Sequence, residues 1–271
     1  MIHTFSFCVR VTLWQIVCDV MKMEKRKKKK YPFVNEMTTS QRVGIVRELF
    51  STIHGRYDFL NHFFSLGRDL AWRRFTVKRM RFLQTNRFLD VATGTADLAI
   101  EAARRTPHIQ VTGLDFVGEM MAVGQKKINR RRLSDRVRLM RGNALNLPFS
   151  DDDFDVAGIA FGIRNIPQYL QVLKEMTRVV VPGGQVMILE MHFPENRIFR
   201  RVYSLYLEKF LPRTAHFFSR NPSAYYYLAD SIVHFPSPHA FAGLMKEAGL
   251  VSIEQYPLTM GIAHLHVGTK P

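Results

Sequence analysis

The chain has 271 residues, 46% hydrophobic and 23% charged, which suits a soluble globular protein with one good core and a satellite subdomain. Its formal charge of +16 is uneven: residues 1–35 carry eight Lys/Arg against Asp19 and Glu24, and "KKINRRRLSDRVRLMR" (126–141) carries eight against Asp135 alone. Such runs suit an anionic membrane surface, nucleic acid or plain solvent, while two cysteines, Cys8 and Cys18, exclude a disulfide framework and a Cys-rich metal site and fit a reducing cytoplasm.

The first twenty residues fail the signal-peptide pattern, because Arg10 interrupts the apolar run and the positive charges follow it. We read 1–36 as a disordered basic extension outside the fold, with Met21, Met23 and Met37 as alternative starts. Residues 37–82 read as an N-terminal helical cap. "SQRVGIVRELFSTI" (40–53) has a helical apolar stripe after a Ser N-cap, and two shorter helices flank Gly67. From 83 to 271 strands alternate with helices. Strands fall at 87–91, 109–115, 136–142 and 154–162, with helices at 96–105, 118–131 and 167–180. A "VPGG" turn (181–184) and strand "QVMILEM" follow, then, after an interruption at 192–236, helix 238–250 and strands 251–258 and 262–270. This pattern implies an α/β fold with a mostly parallel, doubly wound seven-stranded sheet, helices on both faces and a closing antiparallel hairpin.

"RFLDVATGTADLAIEAARR" (87–105) has the strand–turn–helix form of a nucleotide site, yet only Gly94 supplies a glycine. Ala92 and Ala96 stand where a pyrophosphate would require close backbone approach, and Asp97 opposes an anion at the helix N-terminus. Asp90 and Gly94 at the end of the first strand, with Asp115 at the end of the second, suit a cofactor with a ribose and no phosphate. S-adenosylmethionine answers that description.

The chain resembles the class I methyltransferases and, more closely, the ubiquinone/menaquinone biosynthesis C-methyltransferase family. The resemblance rests on "RYDFLNHFFSLGRDLAWRR" (56–74), "LDVATGTADL" (89–98), "GNALNLPFSDDDFD" (142–155), "FGIRNI" (161–166), "VPGG", "AYYYLADSIVHFP" (224–236) and "GIAHLHVGTK" (261–270). It implies the Rossmann-like class I fold and S-adenosylmethionine at Asp90, Gly94, Thr95, Asp115, Asn143 and Ala144. Arg164 is the implied catalytic residue, with Tyr57, Asn61, Tyr226 and His264 toward the substrate. Ala96 replaces a more usual glycine, and Ala160 stands where some members carry a serine.

Residues 191–236 hold 11 of the chain's 32 aromatics, the composition of a pocket for a flat apolar ligand. With the resemblance, 192–236 reads as a lid over a prenylated quinol ring, and residues 40–80 as the cover on the other side. His264 and His266 share a strand face, but the sequence supplies no third ligand, so no metal is expected. The expected reaction is methylation of a ring carbon of demethylmenaquinol or the related benzoquinol. An RNA methyltransferase and a non-catalytic partner in quinone synthesis are the alternatives. The basic tail is low in complexity and the aromatics sit inside the catalytic domain, so we expect no nucleic acid partner. Peripheral contact with an anionic membrane face from the cytoplasm is expected, and a homodimer is left open.

Overall fold

The computed structural model describes residues 31–206 and 223–271. Seven strands form one sheet in the order β3-β2-β1-β4-β5-β7-β6: β1 Arg87–Val91, β2 Gln110–Asp115, β3 Val137–Arg141, β4 Phe154–Ala160, β5 Val180–Met191, β6 Val251–Leu258 and β7 Ala263–Thr269. The first five run parallel, while β7 is antiparallel to both β5 and β6. The strand order reverses between β1 and β4, and ligands of open α/β sheets bind at such a switch point, outside the carboxyl ends of the strands.

Helices α1 (Thr39–Ile53), α2 (Tyr57–Phe64) and α3 (Arg68–Val77) precede the sheet. Thr38, not Ser40, caps α1 and forms a reciprocal capping box with Gln41. α4 (Asp97–Arg105) and α5 (Gly118–Arg130) join α3 over one sheet face, where Trp72, Phe88, Ala99, Ile128 and Val156 form a core. α6 (Tyr169–Val179) and α9 (Pro238–Glu247) cover the other, with Leu89, Phe154, Leu173, Met176 and Phe241. The expected "VPGG" turn is instead absorbed into β5 as a register break between its pairings with Phe154 and Val156. Gly183 takes φ +79, and a Cβ on Gly184 would lie 2.8 Å from two carbonyl oxygens, so neither position tolerates a side chain easily.

A third cluster joins the cap to the insertion: Val46 and Leu49 of α1 pack with Tyr203 of α7 (Arg197–Leu205) and with Tyr227, Ala229 and Ile232 of α8 (Ser223–Val233). Cap and insertion therefore form one roof rather than two opposed covers. Val34 belongs to this cluster, 7% exposed, and its N–H donates to Asp230 over 2.7 Å. Residues 31–36 are thus part of the fold, which corrects the expected boundary at 36. Residues 1–30 of the expected extension, and 207–222 of the expected lid, lie outside the described residues.

Candidate active site

β1 enters a turn whose left-handed residues are Ala92 (φ +52), Gly94 (φ +56) and Ala96 (φ +64). The methyl of Ala96 does not narrow the ligand side of the turn. It is fully buried and faces Gly124 of α5, where an added Cβ would come within 3.2 Å of it. The missing glycine is matched by a glycine on the neighbouring helix.

Above this turn lies a cavity of about 460 Å³ at the carboxyl ends of β1, β2 and β4. Asp90, Gly94, Thr95, Asp115, Asn143, Ala144 and Tyr57 all line it, whereas Arg164, Asn61, Tyr226 and His264 are not among its lining residues. Asp115 is buried at the end of β2, and its two carboxylate oxygens accept the N–H groups of Gly94 and Val117, each over 2.8 Å. Burial raises its pKa against those backbone bonds. A carboxylate has about four acceptor sites, so after the N–H groups of Val117, Gly94 and Phe116 room remains for a hydroxyl donor. Asp90 accepts from Thr93 Oγ1 at 2.6 Å and from Ala99 N–H at 3.1 Å, and burial lifts its carboxyl to about 7. Asn143 Oδ1 accepts from Leu145 N–H over 3.0 Å, fixing the loop after β3.

The cap reaches into the site. Thr95 Oγ1 donates to Asp58 at 2.5 Å, and Lys127 Nζ donates to Asp58 at 2.7 Å and also to Asp97. Burial alone would raise Asp97, but Arg73 and Lys127 hold it below the usual carboxylate range. The acid at the start of α4 is therefore charged and paired. Arg73 lines the cavity, is fixed by Asp69 at 2.7 Å, and has a buried Nε with no hydrogen-bond partner. Val43, Val46 and Phe50 of α1 give the cavity an apolar side next to Tyr57.

Arg164 stands behind the cavity wall. Its guanidinium donates to Glu190 at 2.5 Å and to the Phe161 carbonyl at 2.9 Å, and Glu190 is fully buried. Burial acts to lower Arg164, but Glu190, Tyr57 and Tyr227 outweigh it and raise its pKa. Its neighbours Gly162 and Asn165 do line the cavity, as does Tyr57, which lies within electrostatic reach of Arg164. Burial raises the Tyr57 phenol, against a hydrogen bond with Asn61, so Asn61 acts on the site through Tyr57. Of the consecutive tyrosines, Tyr227 turns inward, 7% exposed, whereas Tyr226 is half-buried.

His264 lies on β7 with His266, their ring centroids 6.0 Å apart, and His192 joins them at 4.9 and 5.2 Å. Nothing in the sequence marks His192, 72 residues before His264, as the third ring of this group. Even so, among the described residues no group of three or more His, Cys, Asp or Glu is arranged to hold a metal ion. Sequence reasoning also missed Asp58, Lys127, Arg73 and Glu190. Only Glu190 left a legible signal, as an acid inside the apolar strand "VMILEM".

The site fits a neutral nucleoside carrying a cationic tail: hydroxyl acceptors at Asp115, further carboxylates at Asp90 and Asp97, and the unpartnered Nε of Arg73 for an acidic group. The model of the ubiE/COQ5 methyltransferase family matches residues 35–270. The chain is 44% identical over 226 residues to the ubiquinone/menaquinone biosynthesis C-methyltransferase UbiE of Geotalea daltonii, covering 83% of this chain and 96% of that one. It is 41% identical over 227 residues to the demethylmenaquinone methyltransferase of Bacillus cytotoxicus, covering 83% and 95%. Among solved structures, Haemonchus contortus phosphoethanolamine N-methyltransferase 2 in complex with S-adenosyl-L-methionine is similar in fold, with a TM-score of 0.55, 17% identity, and 75% of this chain and 52% of that one covered.

Proposed function

Because the chain belongs to the ubiE/COQ5 methyltransferase family and is an S-adenosylmethionine-dependent methyltransferase, we propose that the cavity methylates a ring carbon of a prenylated quinol, demethylmenaquinol in the first place. The observation that carries this reading is the mixed lining of the cavity, in which the polar residues of the turn after β1 and of the strand ends meet Val43, Val46 and Phe50 of α1 beside Tyr57. Asp115 would accept the ribose hydroxyls, Asn143 and Ala144 would border the adenine, and Thr95 and Arg73 would hold the amino-acid end. When bound, the cofactor supplies an electrophilic methyl group.

The chain's own task is to make the ring carbon nucleophilic. A phenol with a pKa of about 10 gains that character when its hydroxyl proton passes outward to solvent water, since the phenolate pushes charge to the ortho carbon. After methyl transfer the proton on that carbon is lost as the ring regains its hydroxyl, so one proton is released overall. A guanidinium stays protonated and is a poor base. Arg164 would therefore stabilise the phenolate by its charge, with Tyr57, which lines the cavity, as the hydrogen-bonding group in between. The apolar wall excludes water from the transfer.

Contact with the membrane would be peripheral and from the cytoplasmic side, and among the described residues no helix is long and apolar enough to cross a bilayer. The test supplies the purified protein and S-adenosylmethionine with tail-less and prenylated demethylmenaquinol, the corresponding benzoquinol, and RNA. Mass spectrometry should find one added methyl on the quinol ring. Methylated RNA with unchanged quinols would overturn the proposal, and light scattering on the same sample decides between monomer and homodimer.

A further inference from the structure

Helix α7, Arg197–Leu205, has two apolar faces. Asn196 caps it, its side chain accepting from Ile198 N–H at 3.0 Å and Phe199 N–H at 3.1 Å. At about 100° per residue, Phe199 and Tyr203 share one face, and Tyr203, 5% exposed, packs into the roof cluster with Val46 and Tyr227. Ile198, Val202 and Leu205 recur at i, i+4 and i+7 on a second face and are 79%, 58% and 48% exposed. A helix of a soluble protein needs one apolar face toward its core. This helix carries another into solvent.

The remaining arc is basic. Arg201 is exposed next to Val202 in sequence, and Arg200 is exposed too, its Nε donating to the Pro194 carbonyl at 2.8 Å. Bare aliphatics bordered by arginines are the pattern of a helix lying in a lipid interface, its apolar face among acyl chains and its cations among phosphates. The chain's +16 charge has the complementary sign for an anionic surface. The placement is apt as well: Val46, which packs in the same cluster as Tyr203, also lines the cavity, so α7 lies one layer of side chains from it.

We infer that the outer face of α7 docks on an anionic phospholipid bilayer and brings the cavity to a substrate held there by its prenyl tail. The inference rests on the quinol reading only for that second clause.

The experiment uses the full chain and a variant carrying Ile198→Gln, Val202→Gln and Leu205→Gln. Both are sedimented with vesicles of phosphatidylglycerol and phosphatidylcholine at low and at high salt. Attraction of the basic residues before Tyr31 to such vesicles is electrostatic, and salt removes that contribution. In high salt the unmodified chain should stay bound, and the triple variant should bind at least about tenfold more weakly. The variant should keep its melting temperature and its turnover of tail-less quinol, and lose turnover of long-tailed quinol in vesicles. Arg201→Gln should weaken binding at low salt only. Equal binding of variant and unmodified chain in high salt would overturn the inference. So would a lowered melting temperature, or a change from dimer to monomer in light scattering, because the face would then be covered by the chain itself or by a second copy. If neither protein methylates tail-less quinol, the quinol reading fails, and the vesicle comparison still decides the docking.

Discussion

Thr95 donates its hydroxyl proton to the Asp58 carboxylate across 2.5 Å, bonding the second cap helix to the turn that would hold the cofactor. Lys127, 11% exposed, lies between Asp58 and Asp97 and donates to both. Closure of the cap and the shape of the turn are therefore linked through one small network of charges. Asp58→Ala should weaken S-adenosylmethionine binding by about 1 kcal/mol, or roughly fivefold, the scale of one lost hydrogen bond. Calorimetry on a variant that still melts cooperatively tests this, and unchanged affinity would show that the latch is only structural.

Asp115 has two duties, which can be separated. Asp115→Ala should cost about 1–3 kcal/mol of cofactor affinity, because the Gly94 and Val117 N–H groups and the ribose hydroxyls all lose their acceptor. Asp115→Asn keeps one acceptor oxygen and should recover part of the loss. If both variants bind S-adenosylmethionine as the unmodified chain does, Asp115 does not hold the ribose.

Arg164→Ala looks from the sequence like a clean test of catalysis, and the structure shows that it is not. It strands Glu190, fully buried, and an uncompensated buried charge costs about 3–5 kcal/mol. The variant should melt well below the unmodified chain. Arg164→Ala combined with Glu190→Gln should regain much of that stability, yet turn over about 10²–10³ slower, the scale of losing one preorganised donor to an oxyanion. A double variant with near-normal turnover and cofactor affinity would remove Arg164 from the chemistry.

The histidine cluster should make the fold acid-labile. Burial pushes His192 down to about 2 and His266 down to about 4, and it lowers His264 as well. All three stay neutral in the folded state at pH values where an unfolded histidine, with a pKa of about 6.5, takes up a proton. The unfolded state then binds more protons, so stability falls as the pH drops from about 6.5 toward 4, at up to about 1.4 kcal/mol per pH unit for each histidine. Asp90, raised to about 7, and Asp115, also raised by burial, act in the opposite sense, their contributions being lost as the pH rises through their folded values. With three lowered histidines against two raised aspartates, melting temperatures should decline from pH 6.5 to 5. His192→Phe should flatten that decline, and an unaltered slope would refute the assignment.

The boundary of the fold is also open to measurement. A chain starting at Tyr31 should melt like the full chain. One starting at Met37 loses the burial of Val34, worth about 1.5–3 kcal/mol, and its N–H bond to Asp230. Equal melting temperatures for the two would show that Val34 adds nothing.

By itself the sequence determined the sheet and much of the polar lining of the cavity. Hydrophobic periodicity is local, and strands buried on both faces read as apolar runs, so β1, β2 and most of the helices appear close to where the chain has them. Asp90, Gly94 and Asp115, which line the cavity, are legible because each sits at a strand end, where chain direction alone assigns it to the ligand edge of the sheet, while Thr95 is implied by the family resemblance. Tertiary structure decided what depends on side chains far apart in sequence. Asp155, within the "SDDDFD" run, resembles a surface acid, yet it is fully buried and accepts the N–H groups of Gln84, Thr85 and Asn86 at 2.6–2.9 Å. Lys127 reads as one charge in a solvated basic run, and Gly124 as a flaw in a helix, until α5 is laid against the turn after β1. Which carboxylate pairs with Arg164 is not legible until Glu190, 26 residues on, is brought beside it. A hydrogen bond or ion pair between distant residues leaves no periodic trace in either segment, and only packing brings its two halves together.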